Sequence, residues 1–142
     1  MKLAASLLAI AILCSDADAS DAATRIAYDP GGLIGTYVAK YEHLASAGES
    51  VVIDGLCASA CTIVLGVLPL NRICVTPRAT FGFHAAWNYG ANGHTFTDPR
   101  ATLMLYSTYP PPVRRWIARH GGLTPRIMFL RGKPLQALYR SC

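Results

Sequence analysis

The run Val51-Val52-Ile53-Asp54-Gly55-Leu56-Cys57-Ala58-Ser59-Ala60-Cys61-Thr62 constrains the fold more than any other part of the chain. Apolar residues lead into it, and a second apolar segment, Ile63 to Leu68, leads out. That order reads as a buried strand, a tight turn and a helix. A serine then stands where a strand hands over to a helix N-terminus, among free backbone N–H groups and the positive end of the helix dipole. Such a place suits an anion or a developing oxyanion. The small residues beside Ser59 let a substrate carbonyl approach. The spelling is not Gly-x-Ser-x-Gly, so the α/β-hydrolase elbow is not matched. A plain N-cap would account for the serine equally well.

The neighbouring patterns extend this to an α/β fold. Arg25 to Tyr28 is a strand candidate, and Asp29-Pro30-Gly31-Gly32 a turn. Leu33, Ile34, Tyr37, Val38, Tyr41 and Leu44 fall on one helical face, ended by Gly48. Val51 to Ile53, Arg72 to Thr76 and Thr80 to Phe83 are further strands, with a helix from Ala58 to about Gly66. Strands alternating with helices imply a largely parallel sheet. The Gly31-Gly32 loop and the Ser59 turn both follow strand C-termini, so right-handed crossovers bring them to the same sheet edge, where ligands bind in such folds. Ala85 to Thr97 is loop-like. Asp98-Pro99 opens a helix to about Thr108. Short helices follow at Val113 to His120, at Thr124-Pro125 and at Pro134.

The N-terminus is of another kind. Lys2, an apolar run from Leu3 to Leu13 and Ala17-Asp18-Ala19 make a secretory signal peptide with cleavage after Ala19. The run is too short to span a membrane, and Leu13 before Cys14 does not fit a lipid-attachment site. The expected organisation is a signal peptide over 1–19 and one domain over 20–142, exported to the periplasm with no membrane attachment after cleavage. Cleavage removes one Lys and two Asp, moving the formal charge from +5 to +6. The arginines are scattered and do not interleave with aromatics, which argues against nucleic acid as a partner.

Cys57, Cys61, Cys74 and Cys142 remain, an even number that suits two disulfides in an exported chain. Zinc at Cys57-x3-Cys61 is the rival reading, disfavoured by the export signal. Cys57 and Cys61 stand one helical turn apart, an awkward geometry for a bridge. The expected pairs are therefore Cys61–Cys74 and Cys57–Cys142, the second pinning the C-terminal helices over the serine turn. No metal or other cofactor is called for.

His84 closes the fourth strand, 25 residues after Ser59. A serine needs a nearby base to act as a nucleophile, and histidine is the usual one, although a lone histidine at a strand end is more often just hydrogen-bonded there. Taken in order, Asp29-Pro30-Gly31-Gly32, Gly55-x3-Ser59-Ala60, Arg72 and Phe83-His84 resemble the Clp-protease and crotonase superfamily. The resemblance is strongest to its periplasmic members whose serine lies between two cysteines. It covers about Arg25 to Ala86. It implies a ββα spiral, with Ser59 as nucleophile, His84 as base, and the N–H groups of Gly32 and Ala60 as oxyanion hole. It also implies a peptide or protein substrate, and a homo-oligomer, since the family's enzymes form rings or stacks. Two departures stand out. The family's third residue is an aspartate well after the histidine, yet the only acid beyond His84 is Asp98, in a helix-cap context, which leaves a backbone carbonyl or Asn88 as partner. The family also carries a further strand–helix segment before the Pro-Gly-Gly strand, so an N-terminally shortened sheet is expected. The functions to weigh are a periplasmic serine peptidase, an inactive relative that binds a peptide or protein in the same groove, and, less well matched to an exported chain, an acyl-CoA enzyme.

Overall fold

The computed structural model describes residues 23–142; the predicted signal peptide lies outside them. The chain runs β1 (Ala23–Asp29), α1 (Ile34–Ser46), β2 (Ser50–Ala58), a 3-10 segment (Ser59–Ile63), α2 (Val64–Val67), β3 (Ile73–Val75), β4 (Thr80–Phe83), β5 (Trp87–Tyr89), β6 (Thr95–Thr97), α3 (Pro99–Thr108), α4 (Pro111–Arg119), β7 (Met128–Arg131) and α5 (Gly132–Gln136). The fold is α/β, with a five-stranded mixed sheet whose central strands are parallel. Its spine is β2. The first half of β2 pairs with β3, Val51 opposite Ile73, and the second half with β4, Leu56 opposite Thr80. No residue of this strand is exposed, the residues being buried or half-buried throughout, which is why it reads as an apolar run.

Beyond β4 the structure departs from the sequence expectations. Met128–Arg131 is an antiparallel strand on β4, Phe81 opposite Leu130, where only a turn of helix after Thr124-Pro125 was expected. Four residues are too few to carry a periodicity that separates strand from helix. The segment Ala85 to Thr97, expected as loop, contains the β5–β6 hairpin. The helix expected from Ala58 to about Gly66 is instead the last residue of β2, a 3-10 segment and a single α-helical turn. Among the described residues no helix is long and apolar enough to cross a membrane.

The core lies between the sheet and its helices and is built on Val51, Ile53, Ile63, Phe81, Val113 and Ile117, all without solvent exposure. Two features fix β2 within it. The β1–β2 ladder slips between Ile26 and Tyr28, so β2 carries one extra residue around Asp54 and Gly55. A Cβ on Gly55 would stand 1.9 Å from the Ala27 carbonyl oxygen, so the bulge closes only on glycine. Asp54, 6 % exposed, turns into a cationic clasp. Its carboxylate accepts from Arg25 at 2.7 Å, from Thr76 at 2.7 Å and from both Nε and Nη2 of Arg78. The Arg78 hydrogen bonds first, then Thr76 and the nearby Arg25 charge, hold this carboxyl below the usual carboxylate range.

The disulfides correct the expected pairing. They are Cys57–Cys61 and Cys74–Cys142, not Cys61–Cys74 and Cys57–Cys142. The objection to a local bridge supposed that both cysteines sit in one helix. Instead Cys57 belongs to β2, and the chain doubles back at Ser59, leaving the Cα atoms 5.3 Å apart, within the range a disulfide spans. The C-terminus, meanwhile, runs alongside β3: the Val75 N–H donates to Arg140 and the Cys142 N–H to Val75. That places Cys142 beside Cys74 and away from the serine turn.

Two outcomes follow. Cys74–Cys142 closes a separation of 68 residues, a constraint on the unfolded chain of about 4 kcal/mol by loop entropy. C74A/C142A should lose stability of that order in urea unfolding at unchanged secondary structure. For Asp54, a folded carboxyl more acidic than the unfolded one adds stability above the ordinary carboxylate range and loses it as pH falls through the folded value. The urea midpoints of the native protein and D54N should therefore differ most above the ordinary carboxylate range and converge as pH falls through the folded value. A gap that is constant with pH would contradict the clasp.

Candidate functional site

The Ser59 turn is a constrained piece of backbone. Ala58 ends β2 in an extended conformation, and Ser59 follows at φ +55°, the only non-glycine residue with positive φ among the described residues. A side chain in that region costs about 1–3 kcal/mol and persists only where the surroundings enforce it. Four contacts do so here. The Cys57–Cys61 disulfide brackets the turn, and closing so short a loop is worth about 2 kcal/mol. The Thr62 hydroxyl donates to the Ser59 carbonyl at 2.6 Å. Because that proton is committed, the 2.6 Å contact between Thr62 and the buried Tyr109 hydroxyl has Tyr109 as donor. Finally, Gly31 presses on the turn: a Cβ there would stand 2.6 Å from both the Ala58 carbonyl oxygen and the Ser59 Cβ, and 2.8 Å from the Ala60 nitrogen.

Gly31 is held in turn by Asp29. Its N–H donates to the Asp29 carboxylate at 3.0 Å, an Asx-type turn, and the same carboxylate accepts from the Tyr37 hydroxyl and from Lys40 at 3.4 Å. Burial, and then Asp29 itself, push Tyr37 up to about 12, so its phenol stays protonated and donating. The two loops expected at one sheet edge are thus in contact. The N-cap account of the serine does not hold, because Ala58 occupies the cap position and no side-chain cap bond is made. Ala60 lies in the first turn of the 3-10 segment, where N–H groups have no partner within the helix.

His84 follows the last residue of β4 and is partly buried. Its Nδ1 lies 2.7 Å from the Ala85 carbonyl oxygen. A carbonyl only accepts, so Nδ1 carries a proton, and the neutral ring has its lone pair on Nε2. The segment is fastened at each residue: the Ala85 N–H donates to Thr124, the Ala86 N–H to the Thr102 hydroxyl, and the Asp98 N–H to the Ala86 carbonyl. The Asp98 carboxylate caps α3 by accepting from the Ala101 N–H at 2.9 Å, the role its Asp-Pro context indicated. The hydrogen-bond partner of His84 Nδ1 is therefore a neutral carbonyl.

Gly32, Ser59, Ala60 and His84 all line one cleft of about 330 Å³, with Leu33, Ile34 and Leu105 as apolar wall and Trp87, Asn88 and Tyr89 of β5 along its rim. Among the described residues no carboxylate, lysine or arginine borders it. Four supporting residues were given no role at the site from the sequence: Asp29, Tyr37, Thr62 and Tyr109. The Asp-Pro-Gly-Gly spelling is the Asx-turn signal that could have given Asp29 its role. Nothing local marks Thr62 or Tyr109, which meet across 47 positions. Compared with protein-family models and with curated proteins, the chain matches none.

Gly31 is doubly tied to glycine, by its φ of +89° and by lack of space, whereas Gly48, at φ +76°, faces open space. Gly48→Ala should cost only the backbone term, about 1–2 kcal/mol. Gly31→Ala should cost that plus overpacking, about 3 kcal/mol or more in all. Urea unfolding of the two variants side by side measures the difference; equal losses would remove the Gly31–Ser59 contact from the account.

Proposed function

We propose that the chain is an exported serine hydrolase of the peptidase class, with a Clp-protease/crotonase-like arrangement of Ser59, His84 and a backbone oxyanion hole. The observation that carries the reading is the enforced left-handed turn at Ser59, opening into the cleft that His84 shares. A strained serine between strand and helix, sharing one cleft with a histidine, is the kind of arrangement acyl transfer needs. In the proposed reaction His84 Nε2 takes the Ser59 proton as Oγ attacks a peptide carbonyl. The N–H groups of Gly32 and Ala60 receive the oxyanion, and His84 passes the proton to the leaving amine. Water then releases the acyl group from Ser59 by the same route. The uncharged, largely apolar walls of the cleft favour an extended peptide over a charged metabolite. Two disulfides fit an oxidising compartment and support the exported reading; the signal peptide remains an expectation from the sequence.

One observation favours a second reading, a groove that binds a peptide without cleaving it. The Ala85 carbonyl orients the imidazole but carries no charge to stabilise the imidazolium. In a serine–histidine–aspartate triad the acid both fixes the tautomer and stabilises the imidazolium, and the carbonyl here supplies only the first. Slow turnover is thus expected even of the active form. A fluorophosphonate probe separates the readings, since it reports the nucleophile without requiring turnover. The native protein should label, Ser59→Ala should not, and His84→Ala should label at least about 100-fold more slowly. No labelling of the folded native protein, or labelling that survives Ser59→Ala, would leave only the binding groove.

A further inference from the structure

We infer that the Cys57–Cys61 disulfide is the positioning device for Ser59, so that the site matures only when this bond forms. The inference rests on the reading of Ser59 as the nucleophile. Both ends of the bridge are anchored independently of the turn. Cys57 is held in the sheet on both sides, opposite Asp29 in β1 and Phe81 in β4. Cys61 has no solvent exposure, and its sulfur accepts from the Tyr41 hydroxyl of α1 at 3.4 Å. Between these anchors lie three residues, and the middle one is Ser59 at φ +55°. Four residue steps reach about 13 Å when extended; the bridge holds its two Cα atoms at 5.3 Å. A loop so short and so closed is confined to a few tight turns, and the one adopted here carries Ser59 at positive φ. The other contacts on the turn are non-covalent, and Gly31 reaches it from a separate loop. Cys74–Cys142 touches none of this; it fastens the C-terminus to β3. The two bridges thus divide the labour, one shaping the site and the other closing the chain.

Formation of the bridge removes two electrons and two protons from the Cys57 and Cys61 thiols. They pass to a disulfide-bonded oxidoreductase through a mixed disulfide, and the oxidant leaves as a dithiol. Both cysteines are fully buried once folded, so oxidation belongs to folding, and reductants do not reach the finished bond readily. A chain that folds in a reducing compartment therefore carries a relaxed, unreactive Ser59. Oxidation after export then acts as the activating step.

The test compares C57A/C61A with C74A/C142A and the native protein, reading the Ser59 backbone in crystal structures and the rate of fluorophosphonate labelling. C57A/C61A should show Ser59 at negative φ and label at least about 100-fold more slowly, the usual cost of a misplacement near 1 Å. C74A/C142A should lose more stability yet keep the positive φ and the native labelling rate. Positive φ retained in C57A/C61A, or labelling within a few fold of native, would overturn the inference. If the native protein does not label, the φ comparison decides alone: its loss in C57A/C61A upholds the positioning role while the hydrolase reading fails. If C57A/C61A does not fold, the intact protein decides. There S59G should be more stable than S59A, since glycine adopts positive φ freely; equal stabilities mean the turn is under no restraint and overturn the inference.

Discussion

The close approach of the Gly31 loop to the Ser59 turn is the interaction on which the rest of this structure depends. It joins the C-terminal ends of β1 and β2, the two strands with the longest ladder in the sheet. Nothing larger than glycine fits at the contact, since an added Cβ would meet backbone on one side and the Ser59 side chain on the other. Each loop is rigid for its own reason. Asp29 and Tyr37 hold the glycine turn, while a disulfide and the Tyr109–Thr62–Ser59 hydrogen-bond chain hold the serine turn. Neither set of supports is large in energy. Together they keep one unfavourable backbone conformation in place, at about 1–3 kcal/mol, in a molecule whose whole stability is expected to be on the order of 10 kcal/mol.

The sheet beneath serves the same end. The bulge at Asp54 and Gly55 shifts β2 against β1 by one residue, and Asp29 then stands opposite Cys57 rather than opposite its neighbour. Asp54, in the bulge, ties β1 through Arg25 and the β3–β4 turn through Thr76 and Arg78. A strand that changes partner halfway along needs such a clasp, because β3 and β4 meet it end to end and do not support one another. His84 then emerges from β4 at the same edge, and its backbone neighbours are fastened to α3 and to Thr124. In this way two loops and a strand end, drawn from three parts of the sequence, line a single cleft.

Much of this was legible in the sequence where local chemistry acts alone. Asp98-Pro99 could open only a helix, and Asp98 caps it. The apolar runs gave β2 and β4, and the heptad-like face of Tyr37, Tyr41 and Leu44 gave α1. What could not be read depended on contacts distant in sequence. A cysteine spacing of four has one geometry within a helix and another where a strand ends and the chain reverses; only the conformation of Ser59 decides between them. The antiparallel strand β7 is specified by its partner β4 and not by its own four residues. Tyr109 gains its role from packing against Thr62, which no pattern in either segment announces. Gly32, Ser59, Ala60 and His84 were reached through ordered motifs, whereas the roles of Tyr37, Thr62 and Tyr109 came only from the structure.

The central claim is that the Ser59 turn, the Gly31-Gly32 loop and His84 form one pre-set constellation about a single point in the cleft. A crystal structure of the protein with a peptide boronic acid tests this most directly, because boron adopts tetrahedral geometry on an attacking serine oxygen. The account predicts a covalent bond to Ser59 Oγ, one boron-bound oxygen within hydrogen-bond distance of the Gly32 and Ala60 N–H groups, and His84 Nε2 within reach of Ser59 or of the other boron oxygen. Ser59 should keep its positive φ. A peptide bound elsewhere, or a boronate on Ser59 whose oxygens point away from both N–H groups, would contradict it.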